Sequence, residues 1–284
     1  MARTKSRFAI SKRQPDPEYR RDPGIAQSGL KSILTSPAHY KAAQKRKWPC
    51  TPNMTLGSAL HCISLEGPET FDRNYVRRPD DLKLTTKEGK AWAAEQKSSG
   101  RDVLTVDQWE SVHGMNASLA SMEWFDPERL AEYRDFSELS IYWEWCGMDC
   151  KARLDRLIEL EDKVLVLDLK TTDSVSEKKF IDKVIYLNYM FQAAYYSKAA
   201  SVAFGKPAEF IFVGVEREAP YTINLFTPTI EMMEEGISQC EHALQTLKEC
   251  LITDYWPAPE PKMLTMDLPQ WYTSPVPEKP KVLF

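Results

Sequence analysis

Apolar residues change their spacing along this chain, and the change divides it into helical and extended stretches. Leu30, Ile33 and Leu34 lie three and four positions apart, the period of one helix face, with Ser28 placed to cap the start. Ser36-Pro37 restarts a second short helix, since proline suits a first helical position. Thr55 to Leu65 reads as an amphipathic helix closed by Gly67-Pro68, and Thr86 to Lys97 and Val106 to Trp124 carry further helical stretches. From Ser137 the spacing shortens toward two. Glu138 to Cys146 ends at the turn residue Gly147, and Cys150 to Leu160 follows as a second strand. Val164 to Leu167 is apolar without a break, the pattern of a strand covered on both faces. Ile181, Val184, Ile185, Leu187, Phe191, Ala194, Tyr195 and Ala199 then make a wide apolar stripe within Glu177 to Ala203, one long helix or a broken pair. Two more strands, Ala208 to Glu216 and Tyr221 to Phe226, turn around Ala219-Pro220. Thr229 to Cys250 is a helix with its glutamates early, which suits the helix dipole.

This order predicts a single α/β domain over residues 25–255, with a central mixed sheet flanked by helices. Residues 1–24 hold several prolines and no periodicity, and are expected to be a basic, extended or unstructured lead. Residues 256–284 are proline-rich, with Trp271 and Tyr272 as isolated aromatics; such a tail docks on its own domain or on a neighbouring subunit.

The chemistry sits where apolar patterning is interrupted. Between Lys151 and Thr172, two strands flank Glu161-Asp162, and three charged side chains fall where a buried strand should carry none. A two-residue hairpin loop with Leu160 across from Lys163 sets Asp155 across from Asp168. Facing residues in an antiparallel pair have Cβ atoms roughly 4.5–5.5 Å apart. Lys170 projects from the face of Asp168, two residues on. Carboxylates that close repel, and burying one unpaired is unfavourable. A divalent cation removes the conflict: oxygen ligands suit Mg²⁺, with Mn²⁺ able to substitute, and a partly hydrated ion leaves room for a phosphate. The amine can position or deprotonate a water, or hold that phosphate. Metal-dependent phosphodiester hydrolysis is the chemistry this set supports.

Composition narrows the setting. At 284 residues, 43% apolar and 27% charged, the chain can bury one large core or two small ones. No apolar run approaches the ~18 residues of a membrane span, and the basic start lacks a hydrophobic signal segment, so the expected location is cytoplasmic, with no membrane partner. The six cysteines show no C-x₂-C pair and read as reduced structural thiols. The net charge of −4 conceals a basic front end. Arg3, Lys5, Arg7, Lys12, Arg13, Arg20 and Arg21 load the lead, and Lys41, Lys45, Arg46 and Lys47 follow, whereas Glu231, Glu234, Glu235, Glu241 and Glu249 come late. A basic face beside a metal site fits an enzyme that confines DNA to one channel.

Asp155, followed by Asp168-Leu169-Lys170 after a hydrophobic strand, resembles the PD-(D/E)xK nuclease signature, and LDLKTT resembles its RecB-like and RecE-type (exonuclease VIII) branch. The resemblance spans most of residues 25–270 and implies a restriction-endonuclease-like core. LGSALHCISLE resembles the family's G-x-x-x-H helix, which makes His61 a metal ligand with Asp155, Asp168 and the Leu169 carbonyl. Glu138 resembles a glutamate that helps organise the metal, and Gln192 with Tyr196 resembles a Q-x-x-x-Y motif that contacts substrate or orders the catalytic lysine. SGLKSILTSPAHY resembles the segment that grips the DNA end, offering Ser28, Lys31, His39 and Lys41, alongside Arg153 and Tyr196, as DNA contacts. The family's activity is Mg²⁺-dependent 5′-to-3′ digestion of double-stranded DNA from its ends. It leaves 3′ tails for a RecT-type annealing protein in phage or prophage recombination, with processivity from a homo-oligomeric ring, a trimer or tetramer. Rival readings are a RecB-like nuclease of other polarity or strand preference, a non-catalytic DNA-binding module, and a structural metal-binding domain.

Overall fold

The computed structural model describes residues 9–11, 16–44, 51–269 and 272. Its N-terminal part holds β1 (Ala9–Ser11), α1 (Asp16–Arg21), α2 (Gln27–Leu30), a 3₁₀ turn over Lys31–Leu34, and α3 (Pro37–Ala43). The lead is therefore not wholly without structure: β1 pairs antiparallel with the sheet edge, and α1 follows. Ser28 falls inside α2 and is not its cap, which is Ala26. Ser36 does cap α3, its hydroxyl accepting the His39 N–H, with Pro37 at the first turn. Arg3, Lys5, Arg7, Lys12, Arg13, Lys45, Arg46, Lys47 and Trp271 lie outside the described residues.

A helical layer comes next. It contains α4 (Pro52–His61), a π turn over Cys62–Glu66, α5 (Pro68–Asn74), a small parallel pair β2 (Tyr75–Arg77) and β3 (Asp102–Leu104), α6 (Lys87–Ser98), α7 (Val106–Ala120) and α8 (Pro127–Leu130). Helix α4 starts earlier than the apolar pattern indicates, because Thr51 accepts the Met54 N–H and Pro52 fits the first turn.

The sheet follows: β4 (Arg134–Trp145), β5 (Met148–Glu159), β6 (Val164–Thr172), then α9 (Glu177–Tyr186), α10 (Tyr189–Phe204), β7 (Ala208–Glu216), β8 (Ile223–Phe226) and α11 (Ile230–Thr253). Among the described residues its order is β1-β4-β5-β6-β7-β8, antiparallel except for the β6–β7 pair. That parallel pair is joined through α9 and α10, as a parallel crossover requires. The apolar stripe of 177–203 is a broken pair, parted at Asn188, which takes a left-handed backbone (φ 48°).

Both faces of β6 are covered. Val164 and Val166 enter a core with Phe180, Phe191 and Leu244 from α9, α10 and α11. Leu165, Leu167 and Leu169 enter a second core with Leu60 and Met115 from α4 and α7. Each such leucine, nearly stripped of solvent, stabilises the fold by ~2 kcal/mol. Gly236 lets α11 close on α10, since a Cβ there would meet the Met190 carbonyl at 2.4 Å. Among the described residues no helix is long and apolar enough to cross a membrane, and the described cysteines are free thiols.

Candidate active site

The β5–β6 register is the one the hairpin implies: Arg156 faces Leu167 and Leu157 faces Val166, with the Leu160 N–H donating to the Lys163 carbonyl across the loop. One feature differs. The ladder ends at Arg156–Leu167, one pair short of Asp155 and Asp168. Beyond it β5 leaves β6, and the freed edge of β5 pairs instead with Ile25, whose N–H donates to Asp149 and whose carbonyl accepts from Lys151. Asp155 and Asp168 thus meet across a fork rather than as ladder partners. Asp155 Oδ2 takes the place of a backbone acceptor by accepting the Leu169 N–H at 2.8 Å.

Glu138 carries the matching irregularity on β4. It lies between Ser137, which faces Arg156, and Leu139, which faces Leu154, and its backbone is left-handed (φ 52°). Phe136 and Leu139, three residues apart, consequently reach the same core, as do Leu154 and Leu157 on β5. A regular strand would send them to opposite faces. The break costs ~1–2 kcal/mol of backbone strain. It also aims Glu138 and Asp155 toward α4. Strain held at one buried polar residue is characteristic of functional positions.

His61, at the last turn of α4, completes this side. Its Nδ1 lies 3.5 Å from Asp155 and 4.0 Å from Glu138, and its Nε2 lies 3.1 Å from the Leu169 carbonyl. His61, Glu138 and Asp155 each present a ligand atom within 4.8 Å of the others, a group able to hold a metal ion. Arg153 Nε reaches Glu138 at 2.5 Å. Burial, reinforced by Asp155, still pushes the Glu138 carboxyl up to about 7 against the pull of Arg153 and His61.

Asp168, 1% exposed, belongs to the α10 side. Gln192 Nε2 donates to its Oδ1 at 2.8 Å, and Lys170 Nζ sits 2.5 Å from its Oδ2. Burial raises Asp168 to about 6; Lys170 opposes the rise and Asp155 adds to it. Burial alone would lower the Lys170 amine, but Asp168 and Asp155 outweigh it and hold the amine above its ordinary value. The Lys170 ammonium lies over the Tyr189 ring at 5.0 Å. Tyr196, one turn beyond Gln192, lies against it, and burial together with Asp168 and Asp155 raises its phenol well above normal.

The fork opens into a cavity of about 920 Å³ whose wall includes Ser28, Gly57, His61, Arg153, Asp155 and Tyr196. The structure therefore brings together His61, Glu138, Arg153, Asp155, Asp168, Leu169, Lys170, Gln192 and Tyr196, with Ser28 at the rim. Lys31 reaches the same neighbourhood, donating to the Leu187 carbonyl at 2.9 Å. His39 and Lys41 do not join it. His39 Nδ1 is 2.7 Å from the Ser36 hydroxyl at the helix cap, and Lys41 pairs with Asp254 at 3.1 Å beside Trp256. Sequence reasoning missed Ile25 and the helix-capping role of Lys151, whose ammonium takes the Tyr19 and Asp22 carbonyls at the end of α1. Gly24 (φ 125°), with its Cβ position 3.2 Å from Lys151 Cβ, was the available signal.

Comparison with known proteins bears on the fold and the family. A protein of Eubacterium rectale, named as a candidate exonuclease, superposes with a TM-score of 0.61 at 14% identity, covering 91% of this chain and 97% of its own. At that identity the likeness is one of fold. An alkaline exonuclease of Laribacter hongkongensis aligns at 12% identity over 69% of this chain and 96% of its own, with a TM-score of 0.28 too low to argue from. No curated protein matches. Residues 26–262 match the family described as a PDDEXK-like domain of unknown function (DUF3799), and the chain belongs to that family.

Proposed function

We propose that this chain is a divalent-metal-dependent DNA exonuclease that digests duplex ends 5′ to 3′ and leaves 3′ single-stranded tails for annealing. The observation that carries the reading is the fork, where carboxylates from both sides of the sheet converge next to a buried ammonium. The donor set fits a hard cation: two carboxylates and an imidazole within 4.8 Å, with Glu138 raised first by burial and then by the neighbouring Asp155. His61, Glu138 and Asp155 would hold the ion, with Asp168 and the Leu169 carbonyl facing it across the fork. Such an ion supplies charge neutralisation at the phosphate and acidifies water.

The remaining chemistry belongs to the chain's own groups. Lys170, held against Asp168, would donate hydrogen bonds to a phosphate oxygen or to the attacking water. Asp168 fixes that amine, and Gln192 fixes Asp168. Arg153 holds the Glu138 carboxylate in its strained position. Water oxygen bonds to phosphorus, one proton leaves the water, the P–O bond to the sugar breaks, and the departing sugar oxygen gains a proton. Polarity, double-strand preference, the annealing partner and a ring assembly rest on the RecE-type resemblance of the motifs.

Digestion of a linear duplex labelled at one 5′ end tests the reading. The label should leave as the first small product, with Mg²⁺ and not with chelator, while covalently closed circles resist. Label retained in progressively shortened strands would reverse the polarity, and cutting of circles at a comparable rate would mean an endonuclease.

A further inference from the structure

Two lysines outside the catalytic set lie beside Lys170. Lys183, on α9, donates from Nζ to the carbonyl of Thr171, the residue after Lys170, at 2.9 Å. Lys31 donates to the carbonyl of Leu187, two residues before Tyr189, whose ring lies under the Lys170 ammonium. Both amines are half-buried, and among the described residues neither pairs with a carboxylate. Each uses one of its three N–H donors on the backbone carbonyl named. Burial, then the charge of Lys170, lowers both amines.

Capping α9 accounts for only part of this. Lys31 at the end of α9 suits the negative end of the helix dipole. Lys183 binds instead the carbonyl of the residue that follows the lysine already assigned to the scissile phosphate. A phosphate oxygen would accept from the donors that each amine has to spare.

We propose that Lys31 and Lys183 form a seat for a backbone phosphate next to the scissile one on the same DNA strand. This rests on the nuclease reading of the fork, and it names which part of the substrate lies on the α9–α10 side.

The test uses the full chain in chelator, where DNA binds without being cut. Binding is measured by fluorescence anisotropy on duplexes with a single neutral methylphosphonate moved through the first few linkages of the 5′ strand. In the wild type, one position should weaken binding and lower the salt slope by ~0.7–0.9. In Lys31→Gln/Lys183→Gln the same substitution should have no further effect, whereas Lys31→Arg/Lys183→Arg should recover the dependence. A methylphosphonate penalty unchanged in the glutamine variant would overturn the seat, as would an arginine variant as weak as the glutamine one. A lysine role confined to helix capping would lower Tm while leaving the penalty intact, which also overturns it. If only removal of a terminal 5′ phosphate abolishes the lysine dependence, the seat is for the end group and the proposal fails as stated. Wild-type binding that shows the penalty without Mg²⁺-dependent cleavage would sink the nuclease reading and leave the seat standing.

Discussion

On the α10 side of β6, Asp168 is surrounded by its own partners: Lys170 supplies the opposite charge and Gln192 a neutral donor. On the α4 side, the Arg153 guanidinium pairs with Glu138, and one imidazole, His61, lies against both Glu138 and Asp155. The first set is close to complete without any ligand; the second holds excess negative charge. Asp168 and Glu138 are both buried, so solvent does little to soften the difference at these two carboxylates. The lesson is a division of labour. The α10 side sets the position of the amine, and the α4 side creates the demand for a cation.

The largest separation between the sides should come from Asp155→Asn and Lys170→Met. Both should lower Mg²⁺-dependent cleavage by ~10³-fold or more, since each removes charge aimed at the reacting phosphate. Their stabilities should diverge. Lys170→Met strands the Asp168 carboxylate and should destabilise by ~3 kcal/mol in urea unfolding. Asp155→Asn relieves Glu138 and Asp168 and should leave the metal-free protein as stable as the wild type or more so. Equal destabilisation by the two would erase the distinction between the sides.

A smaller effect is expected from pH. Glu138 and Asp168 have folded values, about 7 and about 6, above their ordinary ones, 4.5 and 3.8. Between those limits the folded protein holds protons that the unfolded chain has released, so metal-free stability falls as pH rises through the window. Added Mg²⁺ should recover more stability at pH 8 than at pH 5. Thermal melts at the two pH values, with and without Mg²⁺, check the sign. The smallest effect is a control: Lys41→Ala, which breaks an exposed pair with Asp254, should change neither Tm nor DNA affinity measurably.

Much of this was legible in the chain. The unbroken apolar run Val164–Leu167 marks a strand buried on both faces, and the two-residue loop at Glu161-Asp162 fixes its register with β5. Asp168, Lys170 and the Gln192–Tyr196 spacing then fall on one side by alternation and helix period alone. The fork was not legible, because it depends on a left-handed glutamate within a strand and on Ile25 pairing with β5 far away in sequence. Glutamate has no local preference for that backbone, so tertiary packing has to impose it. Lys183 was hidden for a related reason: nothing in an amphipathic helix pattern tells a solvated lysine from one that turns back to a strand carbonyl. Of the expected DNA contacts, His39 meets the Ser36 hydroxyl at a helix cap and Lys41 pairs with Asp254 beside Trp256, neighbours that spacing along the chain does not reveal.

The most direct measurement is a calorimetric titration of Mn²⁺ into wild-type protein and into Asp155→Asn, His61→Ala and Lys41→Ala. The fork predicts saturable binding by the wild type and by Lys41→Ala, with strong weakening in the two site variants. Equal binding by all four proteins would place the metal elsewhere and contradict the account.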